Sequence, residues 1–290
     1  MPQLAVLLST LIWGATFPAT KAALEQIPPF SFLFLRFLLG LLLTVAVLLV
    51  LSRWRLRSDR ATLQAGLVAS LFWTAGYVLQ TLGLQHTSAS NSAFITVLYV
   101  VLVPLFLRRF GGMIWLSAGL ALGGLWLLVE PSASMNLGDL LTLGCAAAFA
   151  GHICCLESYT RRVEPIPLFL WQMIAITGAT GLAMLVEAPG AAQLAPTPVL
   201  LAALAVTGLL ATGAFAVQIW AQRLISAQRI ALFFSLEPAF AAWLAWYFLG
   251  EHLSSKAWIG SGLILVAMLV GGMRSTGPGE AGATVASPAH

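Results

Sequence analysis

Hydrophobic residues fill most of the chain in long blocks separated by short polar stretches. The blocks fall at about 4–23, 30–51, 63–83, 89–107, 112–129, 139–160, 167–187, 197–220, 229–249 and 257–273. A run of about twenty apolar residues can cross the bilayer core, roughly 30 Å thick, as a helix. Continuous apolar runs, without two-residue alternation, favour helices over a β-barrel. The pattern therefore predicts ten transmembrane helices, which we number spans 1–10.

The composition supports this prediction. Of the 290 residues, 60% are hydrophobic and 8% are charged, and the mean hydropathy is +0.94. Soluble domains carry about a quarter charged residues, so the sequence predicts an all-α integral membrane protein whose surroundings are the lipid bilayer. In such a protein the net charge of +4 does not indicate nucleic acid as a partner. Cys145, Cys154 and Cys155 lack metal-ligand spacing and are interpreted as packing residues, and we expect no metal or cofactor.

The distribution of Lys and Arg predicts the orientation. One set of loops and the tail carry Arg53, Arg55, Arg57, Arg60, Arg108, Arg109, Arg161, Arg162, Arg223, Arg229 and Arg274, and the opposite set carries Lys21 and Lys256. Basic residues are enriched in cytoplasmic loops. We therefore expect both termini in the cytoplasm of a multi-pass protein of the bacterial inner membrane. Residues 274–290 are rich in Gly, Ala, Ser and Pro and are predicted to form a disordered cytoplasmic tail.

The two halves of the sequence are similar. Gln80, Ala89, Ala93 and Leu98 recur as Gln218, Ala227, Ala231 and Leu236 at a constant offset. We predict two five-helix repeats, residues 1–130 and 131–273. Because each has an odd number of spans, the second is inverted relative to the first. Inverted repeats are typical of secondary transporters, whose substrate site lies at the repeat interface near the bilayer midplane.

Several local motifs carry a family resemblance. Ser235–Ser254 reads SLEPAFAAWLAWYFLGEHLS, with Glu237–Pro238 inside a span and Gly250–Glu251 at its end. Span 1 contains Ile12-Trp13-Gly14-Ala15-Thr16-Phe17, and span 2 contains Arg36-Phe37. With these motifs, residues 4–273 resemble the drug/metabolite transporter superfamily, in its ten-helix branch built from two EamA-type domains.

This resemblance implies export of small metabolites. Amino acids, especially aromatic or other hydrophobic ones, are the first expectation, and broad drug or metabolite efflux is the alternative. Protons are a candidate coupling ion, and the protein is expected to be a monomer or a homodimer. A channel and a membrane-embedded enzyme are further readings. The sequence contains no HExxH, GxSxG or phosphate-cradling glycine motif, so we expect no catalytic residues.

Glu237 is the first candidate for a functional side chain. It lies about nine residues into span 9, roughly 13 Å deep at 1.5 Å per residue. A carboxylate at such depth costs about 2.5–3.5 kcal/mol on insertion scales and by default indicates a polar pathway. The alternative is a structural anchor bonded to a neighbouring helix. Tyr99 is its counterpart in the first repeat.

The other candidates combine aromatic rings with a few polar groups. Together with Glu237 and Tyr99, the predicted substrate-binding residues are Trp13, Tyr77, Gln80, His152, Phe215 and Gln218. Spans 1, 3, 4, 6, 8 and 9 should then enclose one central cavity, with an aromatic and amide-bearing wall suited to an amphipathic metabolite. Ordinary packing explains the rings equally well, and His152 is either a proton carrier or a neutral, internally bonded histidine. Arg36 is interpreted as extending along its helix to water at the outer surface.

Overall fold

The structure is a computed structural model that describes residues 2–50, 58–129, 135–249 and 254–273. Within those ranges the chain is all-α, with no strand. Its helices are α1 Pro2–Leu24, α2 Pro29–Val50, α3 Arg60–Leu84, α4 Ala89–Thr96, α5 Tyr99–Phe106, α6 Gly112–Val129, α7 Leu137–Tyr159, α8 Pro165–Glu187, α9 Pro198–Leu204, α10 Ala211–Ala221, α11 Ala227–Phe234, α12 Glu237–Leu249 and α13 Ser255–Met273. A π-helical turn, Ala205–Leu210, joins α9 to α10. Arg53, Arg55, Arg57, Gly250–Glu251 and the tail 274–290 lie outside the described residues.

These helices correspond to the predicted spans. Six segments, α1, α2, α3, α7, α8 and Pro198–Ala221, are long and apolar enough to cross a membrane, by length and composition. Shorter apolar helices cover Asn91–Phe106, Gly112–Leu128 and Ser255–Val270, and α11 with α12 forms the ninth span. The predicted fold class is confirmed: an all-α membrane protein of ten spans, built from two inverted five-helix repeats.

Spans 4 and 9 are each broken at equivalent positions. α4 ends before Val97 and Leu98, and α11 ends before Ser235 and Leu236. At both breaks a tighter backbone bond replaces the α-helical one, from Leu98 N to Ile95 O (3.1 Å) and from Leu236 N to Phe233 O (3.2 Å). Each repeat thus places the start of a half-helix inside the bundle, as discontinuous helices do in many transporters.

Close backbone contacts hold the two repeats together. A Cβ atom on Gly138 of α7 would lie 2.5 Å from the carbonyl oxygen of Gly83 in α3. Likewise, a Cβ atom on Gly260 of α13 would lie 2.4 Å from the carbonyl oxygen of Gly124 in α6. Glycine at these positions lets helices from different repeats approach more closely than any side chain would permit.

A charged network joins the repeats at the end of the bundle predicted to be cytoplasmic. Oε1 of Glu157 in α7 accepts hydrogen bonds from Nη2 of Arg109 and from Nη2 of Arg161, each at 3.2 Å. Nη1 of Arg109 donates to Oε1 of Gln228 in α11, at 2.5 Å. Arg109 belongs to the first repeat and its two partners to the second, so this cluster is a polar contact between repeats.

A second network lies at the opposite end of the bundle. Nζ of Lys21, near the end of α1, donates to the carbonyl oxygens of Leu84 (2.5 Å) and Thr87 (3.0 Å). The hydroxyl of Thr87 donates to Oδ1 of Asp139 in α7, at 2.5 Å. Polar contacts therefore cross both ends of the bundle, and the apolar middle lies between them.

Candidate functional site

All eight residues predicted from the sequence to bind substrate line one central cavity. Its lining consists of Trp13, Thr16, Phe17, Tyr77, Gln80, Thr96, Tyr99, Phe149, His152, Ile153, Phe215, Gln218, Phe234 and Glu237. The cavity has a volume of about 450 Å³, counting the space open at its mouth. The lining helices are α1, α3, α4, α5, α7, α10, α11 and α12, so both repeats contribute.

The wall of the cavity is mainly aromatic. The ring of Trp13 lies 4.7 Å from that of Phe215 and 4.6 Å, edge-on, from that of Phe234. Tyr77 makes edge-to-face contacts with Phe149 at 5.3 Å and with Phe215 at 5.9 Å. These separations are in the range in which aromatic pairs contribute beyond burial. The result is a rigid apolar surface suited to a flat or apolar molecule.

Glu237 lies at the break of span 9, where α12 begins. It is 5% exposed, and its Oε1 accepts a hydrogen bond of 3.3 Å from the hydroxyl of Tyr99 at the start of α5. Pro238 has no N–H to offer to the carbonyl four residues earlier, which helps to open the helix here. Gly14 of α1 packs against this turn, since a Cβ atom there would lie 2.8 Å from the carbonyl oxygen of Glu237. The carboxylate is thus held in the cavity by backbone packing and by one phenol.

His152 is held by an amide from the next span. Its Nε2 lies 2.7 Å from Oε1 of Gln172 in α8, and its ring stacks on Trp73 with centroids 5.6 Å apart. Nε2 of Gln172 donates to the carbonyl oxygen of Leu168, at 3.2 Å, which leaves Oε1 as the acceptor. His152 therefore donates from Nε2, and burial of its ring, which is 3% exposed, favours the neutral imidazole with a lone pair on Nδ1.

The two glutamines predicted for opposite ends of the site have different partners. Nε2 of Gln80 donates to the hydroxyl of Thr96, at 3.4 Å. Nε2 of Gln218 donates to Oε1 of Gln222, at 2.9 Å, and Gln222 in turn donates from Nε2 to the carbonyl oxygen of Ile153, at 2.9 Å. Both glutamines therefore donate from their NH₂ groups to other side chains. Their carbonyl oxygens remain available to accept a hydrogen bond from a ligand.

Several lining residues were missed by the sequence analysis, namely Thr16, Phe17, Thr96, Phe149, Ile153 and Phe234. All except Ile153, which follows His152 directly, lie three or four positions from a predicted residue on the same span. Helical periodicity was the signal that could have found these five, because residues three or four apart share one helix face.

The interpretation of Arg36 was wrong. Its side chain does not extend to water but is 2% exposed, with its guanidinium carbon 4.5 Å from the centre of the Tyr77 ring. Nη2 donates to the carbonyl oxygen of Thr207 in the π-helical turn, at 3.1 Å. The interior supplies this cation with a backbone acceptor and aromatic faces, which no pattern within span 2 could show.

The fold and cavity define a multi-pass membrane transporter: ten spans, inverted repeats, broken helices and a central pocket between the repeats. The chain belongs to the EamA-like transporter family, whose model matches it twice, over residues 1–130 and 136–271. This result confirms the resemblance found in the sequence motifs. Among the described residues, no group of three or more His, Cys, Asp or Glu side chains could hold a metal ion.

Relatives extend over nearly the whole chain. An uncharacterized transporter from Archaeoglobus fulgidus is 32% identical over 289 residues, covering 94% of this chain and 86% of the relative. The uncharacterized transporter YoaV from Bacillus subtilis is 24% identical over 277 residues, covering 90% of this chain and 93% of its own. A solved crystal structure with 18% identity superposes with a TM-score of 0.74, covering 93% of this chain and 95% of that one, and it supports the fold alone.

Proposed function

We propose that the protein exports small metabolites with an apolar or aromatic body, with aromatic and other hydrophobic amino acids as the first class to test. The observation that carries the proposal is that eight residues chosen from the sequence line a single cavity between two inverted repeats. Sites at this position are where secondary transporters of inverted-repeat architecture bind substrate. The aromatic wall would hold the substrate's body, and the few polar groups would fix its orientation.

Alternating access is the mechanism that this arrangement supports. Gln80 lies toward the end of α3 and Gln218 toward the end of α10, so that the cavity runs between amides at its two ends. The Lys21 network crosses one end of the bundle and the Arg109 network the other. In our proposal these two networks part in turn, and the broken helices of spans 4 and 9 supply the hinges. The membrane is the bacterial inner membrane, with both termini cytoplasmic.

The test is transport by the full-length protein in proteoliposomes, with a panel of amino acids and related metabolites. We expect saturable flux of aromatic substrates. Trp13→Ala, Tyr77→Ala and Tyr99→Ala should each weaken apparent affinity several-fold, because a ring pair contributes about 0.5–1.5 kcal/mol beyond burial. Trp126→Ala, at a ring 61% exposed on α6, is the matched control. Unsaturable flux would indicate a channel, and three variants equal to wild type would place the site elsewhere.

A further inference from the structure

We infer that the cavity selects substrates by a positively charged, hydrogen-donating group, such as a primary ammonium, and offers no charged partner to a free carboxylate. This inference rests on the proposed function and names the substrate class of the same site. It predicts that an aromatic amine binds more tightly than the amino acid that carries the same aromatic group. Three observations carry it: the charge of the lining, the tautomer of one histidine and the orientation of two amides.

The lining carries one acid and neither lysine nor arginine. Of the lining residues that the structure describes, Glu237 has a carboxylate and none is Lys or Arg. One oxygen of Glu237 accepts from Tyr99, and no hydrogen bond from the described residues reaches the other. Arg36 also lies in the interior, but its guanidinium packs over the Tyr77 ring and donates to Thr207, and the residue is not part of the lining. A cationic group is the partner that compensates a buried carboxylate.

His152 adds an acceptor to the lining. Because Gln172 donates to Leu168, its carbonyl oxygen must accept from His152 Nε2, which fixes the proton on that nitrogen. Nδ1 keeps its lone pair and has no protein partner among the described residues. The imidazole therefore presents an acceptor, which complements a substrate N–H.

The amide orientations add further acceptors. Gln222 donates to the Ile153 carbonyl, so its own carbonyl oxygen must accept from Gln218. The carbonyl oxygen of Gln218 is then left for the cavity, and that of Gln80 is left in the same way because its NH₂ donates to Thr96. A substrate in this site thus meets three neutral acceptors and the carboxylate of Glu237. The neutral acceptors are Nδ1 of His152 and the carbonyl oxygens of Gln80 and Gln218.

The donors that remain in the lining are neutral. The indole N–H of Trp13 is buried and has no partner among the described residues, and the hydroxyl of Tyr77 accepts from the Arg36 guanidinium, which leaves its own O–H as a neutral donor. The hydroxyl of Thr16 is used, since it donates to the Trp13 carbonyl at 2.7 Å. Neutral donors suit a hydroxyl or carbonyl group, whereas a carboxylate beside Glu237 would meet a like charge. The ammonium is therefore the end of the substrate that the site recognises.

Three ligands with one phenyl body test this inference: 2-phenylethylamine, phenylalanine and 3-phenylpropanoate. They are a cation, a zwitterion and an anion at about pH 7. Binding is measured on the purified full-length protein and transport in proteoliposomes. We expect the amine to bind ~10- to 100-fold more tightly than phenylalanine, since phenylalanine carries the same ammonium but must also bury a carboxylate near Glu237 without a charged partner. We expect no saturable binding of 3-phenylpropanoate.

Variants of Glu237 test whether its charge, rather than the stability of the fold, determines the preference for the amine. Glu237→Gln should bring the ratio of amine to phenylalanine affinity close to one, while Glu237→Asp should keep the preference for the amine. Glu164→Gln makes the same chemical change at a side chain 69% exposed and should leave the ratio at the wild-type value. Phenylalanine or 3-phenylpropanoate binding as tightly as the amine would overturn the inference and leave the proposed function standing. If none of the three is bound or transported, the proposed function fails and the inference with it.

Discussion

Tyr99 and Glu237 occupy equivalent positions in the two repeats, and the hydroxyl of one donates to the carboxylate of the other at 3.3 Å. Each residue begins the second half of a broken span. The inverted architecture thus brings together two residues that are 138 positions apart. Any motion of one repeat against the other must lengthen, shorten or turn this contact.

The first prediction concerns that hydrogen bond. Tyr99→Phe keeps the ring but removes the donor to a buried carboxylate, and such bonds contribute about 1.5–3 kcal/mol. We expect a lower melting temperature in detergent, together with a smaller effect of the same substitution in a Glu237→Gln background. A double-mutant cycle measures this coupling. Tyr159→Phe is the control, because no hydrogen bond of its hydroxyl is part of the described structure; purely additive effects at Tyr99 and Glu237 would contradict the pairing.

The second prediction concerns proton coupling. Glu237 lies in the cavity with an acceptor oxygen available, so it can take up a proton on one side and release it on the other. We expect Glu237→Gln to abolish the dependence of transport on a pH gradient while substrate exchange persists. His152→Gln should retain that dependence, because His152 is already fixed as a neutral donor to Gln172. If both variants keep the dependence, neither residue carries the proton. Wild-type flux that ignores the gradient would make Glu237 structural.

The third prediction concerns the packing of α1 on the start of α12. A Cβ atom on Gly14 would lie 2.8 Å from the backbone oxygen of Glu237, so Gly14→Ala must displace that turn. Overpacking of this kind costs about 1–3 kcal/mol. We expect a lower melting temperature and weaker substrate binding. Gly119→Ala is matched, because a Cβ atom there meets no other atom within 4 Å, and a variant at Gly14 as stable as this control would contradict the close approach.

The spans and eight residues of the cavity lining could be predicted because each follows from a local pattern in the sequence. Apolar length marks each membrane crossing, and the repeated offset from Gln80 to Gln218 marks the inversion. Once inversion is assumed, mid-span polar and aromatic residues of spans 1, 3, 4, 6, 8 and 9 must face one another. The eight candidates were chosen by that reasoning, and they line the cavity.

The features that sequence reasoning missed depend on atoms from other spans. The break at Val97 has no proline beside it, and the π-helical turn Ala205–Leu210 contains Gly208 but no proline, while glycines also occur within the regular helix α3. Gln172 is 20 residues from His152 on an antiparallel neighbour, so no spacing rule links them. The burial of Arg36 depends on the carbonyl of Thr207, 171 residues away. Such contacts are fixed by tertiary packing and not by local pattern.

The fourth prediction tests the orientation. In a protein without its native cysteines, we expect Ser58→Cys in intact cells to be shielded from an impermeant thiol reagent, because its loop belongs to the basic set that is predicted to be cytoplasmic. Ser255→Cys, in the opposite set, should be labelled. Both positions are exposed, so burial does not limit the reaction. The reverse labelling pattern would invert the topology and exchange the inner and outer assignments of the two polar networks.

The last prediction concerns the network at the predicted cytoplasmic end. Glu157 is 6% exposed and accepts from both Arg109 and Arg161, so that Glu157→Gln removes the charge that holds Arg109 to the second repeat. Breaking this contact should favour the state that is open on the side of the Arg109 network, predicted to be the inner side. The Lys21 network at the opposite end keeps all its contacts. Gln222→Cys reports on that state, since Gln222 is fully buried and follows α10 directly, at the end predicted to face the cytoplasm.

In inside-out vesicles we expect a small maleimide to label Gln222→Cys several-fold faster in the Glu157→Gln background than in the wild-type background. Glu164→Gln is the control, because its contact with Arg223 is 3.9 Å long and between exposed side chains. Such surface pairs contribute about 0–1 kcal/mol, so this variant should leave the labelling rate unchanged. Equal rates in the Glu157→Gln and Glu164→Gln backgrounds would show that the Arg109 network stabilises the fold without controlling access to the cavity.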